Sequence, residues 1–144
     1  MKKLGIAGDH AGFEYKLKLK EDLAKQGYEL VDYGPGSADS VDYPDYVHPL
    51  ADAVASGEVE QGIAICGSGN GVCMTVNKHQ EIRGALVWNV ELAELARQHN
   101  NANIICVPAR FVDYEVALNM VEAFLNTDFE GGRHERRVSK ISCQ

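Results

Sequence analysis

A thiol, a hydroxyl and three glycines fall within one short run, Cys66-Gly67-Ser68-Gly69-Asn70-Gly71. The residues before it, Ile63 to Cys66, are small or apolar and partly β-branched, as a buried parallel strand is. Val72 to Lys78, after it, is compatible with a helix. Strand, glycine-rich turn and helix gather bare backbone amides at a helix N-terminus, where partial positive charge favours an anion. Cys66 changes what such a cradle can do, because the same amides and dipole stabilise a thiolate. A thiolate beside an anion site is a proton acceptor. The bland reading of Cys66 is a small, inert, packed hydrophobe.

Other chemistry-bearing residues lie further off. Asp9 and His10 stand in Gly8-Asp9-His10-Ala11-Gly12, His99 precedes Asn100-Asn101, and Arg110 follows an apolar run. Arg133 and Arg137, four apart, share one helix face, with Arg136 off it. Structural readings compete here too. Asp9 can cap a helix, and His99 can be a cation satisfied by a helix C-terminus. His134 stays unassigned, His48 and His79 read as surface residues, and Cys73, Cys106 and Cys143 as packing or incidental. No His/Cys/Asp grouping has metal-ligand spacing, so no metal is expected.

The elements that must position these residues alternate. Strands are expected at Leu4–Gly8, Tyr28–Tyr33, Ile63–Cys66, Gly84–Trp88 and Asn103–Val107. The first helix, Phe13–Gln26, has Phe13, Leu17, Leu19, Leu23 and Ala24 as its apolar positions, with Lys16 among the outward residues, and stops at Gly27. A second helix runs to about Ser56 from either Pro44 or Pro49, since proline suits a first turn. Asn89 caps a helix over Val90–Gln98. Asp113 caps another whose core face is Ala117, Met120, Val121, Phe124 and Leu125. A last short helix lies in Arg133–Ser142. Five strands alternating with helices specify a three-layer α/β/α domain with a parallel, Rossmann-like sheet, spanning 1–144 as one domain. Ligands of such sheets bind beyond the carboxyl ends of the strands. That edge gathers Asp9, His10, Cys66 to Gly71 and Arg110. His99, just before a strand, falls toward the opposite edge.

Bulk properties narrow the class. At 144 residues, 45% hydrophobic and 24% charged, the chain fits one globular domain. A formal net charge of -7 argues against nucleic acid or an anionic membrane as partner. No apolar run approaches the ~20 residues of a membrane span. Met1-Lys2-Lys3-Leu4 could open a signal peptide, but Asp9 and His10 interrupt any apolar core. Four cysteines without C-x-x-C spacing fit a reduced, cytoplasmic protein.

The chain also resembles a known family. Gly8-Asp9-His10-Ala11-Gly12, Asp42-Tyr43-Pro44-Asp45-Tyr46, the Cys66–Gly71 turn, Val76-Asn77-Lys78, Ile82-Arg83, Arg97-Gln98-His99-Asn100-Asn101-Ala102-Asn103 and Gly131-Gly132-Arg133-His134-Glu135-Arg136-Arg137-Val138 are similar, in order, to motifs of type B ribose-5-phosphate isomerases and galactose-6-phosphate isomerase subunits. The resemblance implies a cofactor-free aldose–ketose isomerase that works on a phosphorylated sugar through an enediolate. It implies Cys66 as the base and Asp9 and His99 as the ring-opening residues. Amides of Gly67, Gly69, Asn70 and Gly71, with the Ser68 hydroxyl, would hold the oxyanion. Tyr43 and Asn100 would touch substrate, and His10, Arg110, Arg133 and Arg137 would bind the phosphate, for which arginine's fork of donors is suited. It also implies a homodimer, or a tetramer of such dimers, with sites shared between subunits. His99, Asn100 and the C-terminal helix would then reach the partner's site.

Departures are few. Glu81 stands where glycine is common before Ile82-Arg83, Ser68 where many members have threonine, and Asn70 where an aliphatic residue is common. Some relatives lack the cysteine altogether, including one subunit type of the galactose-6-phosphate enzyme, so Cys66 favours an active homo-oligomer. Ribose 5-phosphate is the expected substrate, with galactose 6-phosphate and allose 6-phosphate as the alternatives. A different class, a non-catalytic flavodoxin-like module holding a nucleotide phosphate in the turn, has no use for a thiolate there or for a ring-opening histidine.

Overall fold

In a computed structural model, which describes residues 2–143, five parallel strands form one sheet. In chain order the elements are β1 (Lys3–Gly8), a 3-10 turn (His10–Gly12), α1 (Phe13–Lys25), β2 (Glu29–Asp32), α2 (Pro44–Ser56), β3 (Gln61–Cys66) and α3 (Asn70–Val76). Then follow β4 (Gly84–Leu86), α4 (Val90–Asn100), β5 (Ile104–Pro108), α5 (Tyr114–Asn126) and α6 (Arg133–Ser139). The strand order is β2-β1-β3-β5-β4. After β1 the chain moves outward to β2 on one side and then to β3 on the other. The carboxyl ends of β1 and β3 therefore flank the topological switch point, where an α/β sheet opens its crevice.

Period-two alternation divides the core into two layers. Ile63 and Ile65 of β3 face α1, α4 and α5, packing with Leu19, Leu23, Ala93, Met120 and Phe124. Ala64 and Cys66 face α2 and α3, packing with Val47, Leu50, Val72 and Val76. Cys66 therefore points to the side where α3 begins. The expected face of α5 is observed in full, with Ala117, Met120, Val121, Phe124 and Leu125 all buried.

Several expectations are corrected. Lys16 is fully buried rather than outward, while Leu17 is 46% exposed and Ala24 is also exposed. The face α1 buries is Lys16, Leu19 and Leu23. Lys16 is admitted because its Nζ bonds Asp32 Oδ1 at 2.8 Å and the Pro35 carbonyl at 2.5 Å, so the buried charge is paired. Asp32 also accepts from Lys20 Nζ and from Gly34 N. Burial would raise its carboxyl, but these bonds outweigh it and hold Asp32 below the usual carboxylate value. The second helix starts at Pro44 and carries exposed Pro49 inside it. β4 stops at Leu86, short of Trp88. α4 extends to Asn100, so His99 lies in its last turn, ended by Asn101 in a left-handed conformation (φ 48°). Asp113 occupies the cap position of α5 without a side-chain bond to it, whereas Asn89 Oδ1 accepts from Leu92 N as expected. Among the described residues no helix is long and apolar enough to cross a membrane.

Candidate active site

At the carboxyl edge, the turns after β1, β3 and β5 are fastened to one another by backbone. Asp9 N donates to Ile65 O (3.1 Å), Ala109 N to Cys66 O (2.9 Å) and Arg110 N to Gly67 O (3.0 Å). Glycine is required where they meet: a Cβ on Gly8 would lie 2.5 Å from Ile65 O. Asp9 Oδ1 accepts from Gly12 N at 3.0 Å, so the capping role read for Asp9 is present. The same carboxylate lines the cleft.

Cys66 is 6% exposed. Its sulfur accepts from Gly69 N at 3.2 Å, the amide–thiol contact that the glycine turn led us to expect. Gly69 turns with φ +77°, and a Cβ there would strike Leu86 Cδ1 at 2.5 Å. The Ser68 hydroxyl accepts from Asn70 N at 3.2 Å, which fixes the turn just before α3. Two amides of the turn thus serve sulfur and hydroxyl. In the first turn of α3, the amides of Gly71 and Val72 have by position no intrahelical acceptor. Tyr43 lies on Gly71, where a Cβ would be 2.5 Å from its phenol oxygen, and Arg110 lies over Gly67, 3.2 Å from such a Cβ at Cδ. Together Asp9, His10, Ala11, Tyr43, Cys66, Gly67, Ser68, Gly71, Arg110 and Phe111 line an open cleft of ≈ 440 Å³. His10 brings to it a buried Nδ1 with no hydrogen-bond partner.

The remaining expected residues are not in this cleft. His99 and Asn100 end α4, beside the amino end of β5. There His99 stacks on His134, with ring centroids 4.3 Å apart and planes 15° from parallel. Glu130 Oε1 lies 3.9 Å from His99 Nε2 and 3.7 Å from His134 Nε2. The group is open to solvent: His99 is 40% exposed and Glu130 53% at the side chain. Arg133 and Arg137, both exposed, project from α6 beside it. Desolvation first, then the charges of His99 and Arg133, lowers the His134 pKa from its ordinary value. Sequence spacing indicated no metal-ligand grouping, yet folding brings donor atoms of His99, Glu130 and His134 within 4.8 Å of one another. Near-parallel rings aim their lone pairs side by side rather than at one point, a poor arrangement for ligation.

Sequence reasoning missed Ala11 and Phe111 in the cleft, and Glu130 and His134 beside His99. Phe111 had a signal, since it follows Arg110 in the turn after an apolar strand. Glu130 had none. It reaches the histidines because Glu130 N bonds Gln98 O, and Gly131 and Gly132 turn the chain with positive φ.

Comparison with known proteins gives one consistent answer. Residues 4–141 match the Ribose/Galactose Isomerase family. The chain is 45% identical over 137 residues to a probable ribose-5-phosphate isomerase B of Mycoplasma pneumoniae, covering 94% of this chain and 90% of that one. A crystal structure of a ribose 5-phosphate isomerase from Thermotoga maritima superposes with a TM-score of 0.96 at 46% identity, covering 98% and 97% of the two chains. A ribose-5-phosphate isomerase B from Mycoplasma genitalium, solved with bound ribulose-5-phosphate, gives 0.93 at 43% identity, covering 96% and 93%.

Proposed function

The chain belongs to the ribose/galactose isomerase family, and from that premise we propose how its cleft interconverts D-ribose 5-phosphate and D-ribulose 5-phosphate. It is an aldose–ketose isomerase acting on that pair, as its relatives' names and the bound ribulose-5-phosphate of one of them support. The galactose 6-phosphate and allose 6-phosphate alternatives have no named relative among those above. A nucleotide-binding module would leave the thiol in the cradle without a purpose.

The observation that carries the mechanism is the buried Cys66 sulfur receiving Gly69 N in a turn that leads into the Gly71 and Val72 amides, which have no intrahelical acceptor. As thiolate, Cys66 takes the proton from carbon 2 of the open-chain aldose and returns it to carbon 1. The C2–H pair of electrons becomes the enediolate double bond and the carbonyl oxygen at carbon 1 takes the charge; the proton of the carbon 2 hydroxyl then passes to that oxygen, so that protonation of carbon 1 leaves the carbonyl at carbon 2. In this reading the amides of Gly71 and Val72 and the Ser68 hydroxyl stabilise that charge, and Gly67, Gly69 and Asn70 shape the turn. Ring opening falls to Asp9 and His99, one polarising and one moving the hydroxyl proton. Tyr43 and Asn100 position the sugar. His10, with its unpartnered Nδ1, and Arg110 receive the phosphate with Arg133 and Arg137.

His99, Asn100, Arg133 and Arg137 lie at the other edge of their own subunit, so this reading requires them from a second copy. We therefore read the protein as a homodimer or tetramer with shared sites, one domain over 1–144, working without cofactor or metal. Its four free cysteines suit a reducing cytoplasm. The deciding assay is isomerisation of ribose 5-phosphate, galactose 6-phosphate and allose 6-phosphate by wild type and Cys66→Ala. Turnover of ribose 5-phosphate that collapses in the variant is expected. Turnover of neither pentose nor hexose phosphate would remove the reading, and an unimpaired variant would remove Cys66 as base.

A further inference from the structure

α6 carries Arg133 and Arg137, yet unlike α1 to α5 it buries none of its residues. A helix of seven residues has little stability alone, and no apolar face presses this one onto the core. Its place is set by tethers at its two ends. Beyond its C-terminus, Ser142 Oγ donates to Gln80 O (2.6 Å) and Cys143 N to Gln80 Oε1 (2.9 Å). At its start, His134 stacks on His99, and Glu130 N donates to Gln98 O at 3.1 Å.

The tether at the start of α6 leads to Arg97, two residues before His99. Arg97 Nε donates to Thr127 O (3.0 Å), just past the end of α5. Its Nη1 donates to Asn101 Oδ1 (3.0 Å) and Ala102 O (2.6 Å), where α4 gives way to β5. The guanidinium carbon lies 5.7 Å from the ring centroid of Phe124, on the buried face of α5. From the other side Arg83 Nε donates to Asn101 O at 2.8 Å. Carbonyls at helix ends lack intrahelical donors. A planar fork of N–H groups serves several of them in fixed directions, which a lysine ammonium does not reproduce.

We propose that Arg97 is a positioning residue, which locks the ends of α4 and α5 together so that His99, Arg133 and Arg137 reach the second copy's cleft as one arm of fixed spacing. The inference rests on the shared-site reading above and adds to it what holds the parts of the arm in register. His99 has to meet the sugar ring while the arginines meet the phosphate, so the spacing between them must match one substrate. The last turn of α4 bears His99, and α6 bears the arginines. Arg97 bonds the segment that leads into α6 to the turn that bears His99.

The test uses the whole protein with Arg97→Lys, which keeps the charge and loses the fork. kcat/KM for ribose 5-phosphate should fall by about 10²-fold, the worth of an ~1 Å misplacement, with KM raised as well as kcat lowered. Loss of folded protein alone would lower the apparent kcat and leave KM unchanged, so KM is the deciding readout. A glycine inserted between Asp128 and Phe129 lengthens the segment into α6, leaves Arg97 in place, and should raise KM in the same way. Wild-type KM in either form overturns the proposal. Subunit mixing then locates the defect. Arg97→Lys with Cys66→Ala should regain up to about a quarter of wild-type activity, since half the dimers are hybrids with one intact site. Arg97→Lys with His99→Ala should regain nothing, because both lesions lie in the arm, and a regain there overturns the proposal. Cys66→Ala with His99→Ala is the control. If that pair regains nothing despite proven exchange, the shared-site reading fails; if it regains activity and Arg97→Lys with Cys66→Ala does not, only the role of Arg97 falls.

Discussion

The two ends of the sheet are built by different means. At the carboxyl end, backbone does the positioning: three strand-end turns exchange amide–carbonyl bonds, glycines admit close approach, and an amide holds the Cys66 sulfur. At the amino end, His99 and His134, on two helix ends, meet Glu130 of the loop between α5 and α6 across contacts of 3.7 to 3.9 Å. One end is fixed by the backbone of a single chain. The other offers histidines and arginines that face nothing of their own subunit's cleft. Fixed geometry suits a proton transfer, and exposed groups on helix ends suit insertion into a neighbour.

The sharpest way to break this contrast is to remove the base proposed for the fixed end. Cys66→Ala should lower kcat by about 10²–10⁴, the usual worth of a positioned base, with KM for ribose 5-phosphate little changed. Steady-state kinetics checks it, and a large KM effect with intact kcat would reassign Cys66 to binding. Next, the two ends can be separated onto different chains. Inactive Cys66→Ala and His99→Ala subunits, mixed under exchange conditions, should regain up to about a quarter of wild-type activity, because half the dimers are hybrids and each hybrid has one intact site. No recovery despite proven exchange would mean that each chain works alone.

A smaller effect separates the ends by packing. Gly71→Ala at the carboxyl end drives a methyl into Tyr43 and should destabilise by about 1–3 kcal/mol, with activity reduced as the ring shifts. Gly131→Ala at the amino end meets no atom within 4 Å and pays only for its φ of +69°, about 1–2 kcal/mol. Denaturant unfolding gives both values, and equal effects on turnover would erase the distinction.

The smallest expected effect is acid response. Asp32 and His134 both have lowered values when folded, so the unfolded chain binds more protons in each case and stability is lost as the pH is lowered. For His134 the loss begins below the ordinary 6.5, and for Asp32 below 3.8. Unfolding midpoints measured against pH should therefore show two separate windows. His134→Gln should flatten the upper one and leave the lower intact. A lower window that disappears with that substitution would contradict the assignment.

Much of this protein was legible in its residues. Alternation of apolar strands and amphipathic helices determined the parallel sheet, because those periods are set by backbone geometry alone. The run Cys66 to Gly71 determined its own conformation, since glycines permit the turn and its amides find the sulfur at hand. The face of α5 followed from spacing. Lys16 did not follow, because its burial depends on Asp32 and Pro35, which a helix period cannot see. Nor did the meeting of His99 with Glu130 and His134. Local patterns fix what neighbours along the chain do. Which distant side chains share a space is decided only when the layers pack, and here packing brought Glu130 and His134 to His99 at the end of the sheet away from Cys66.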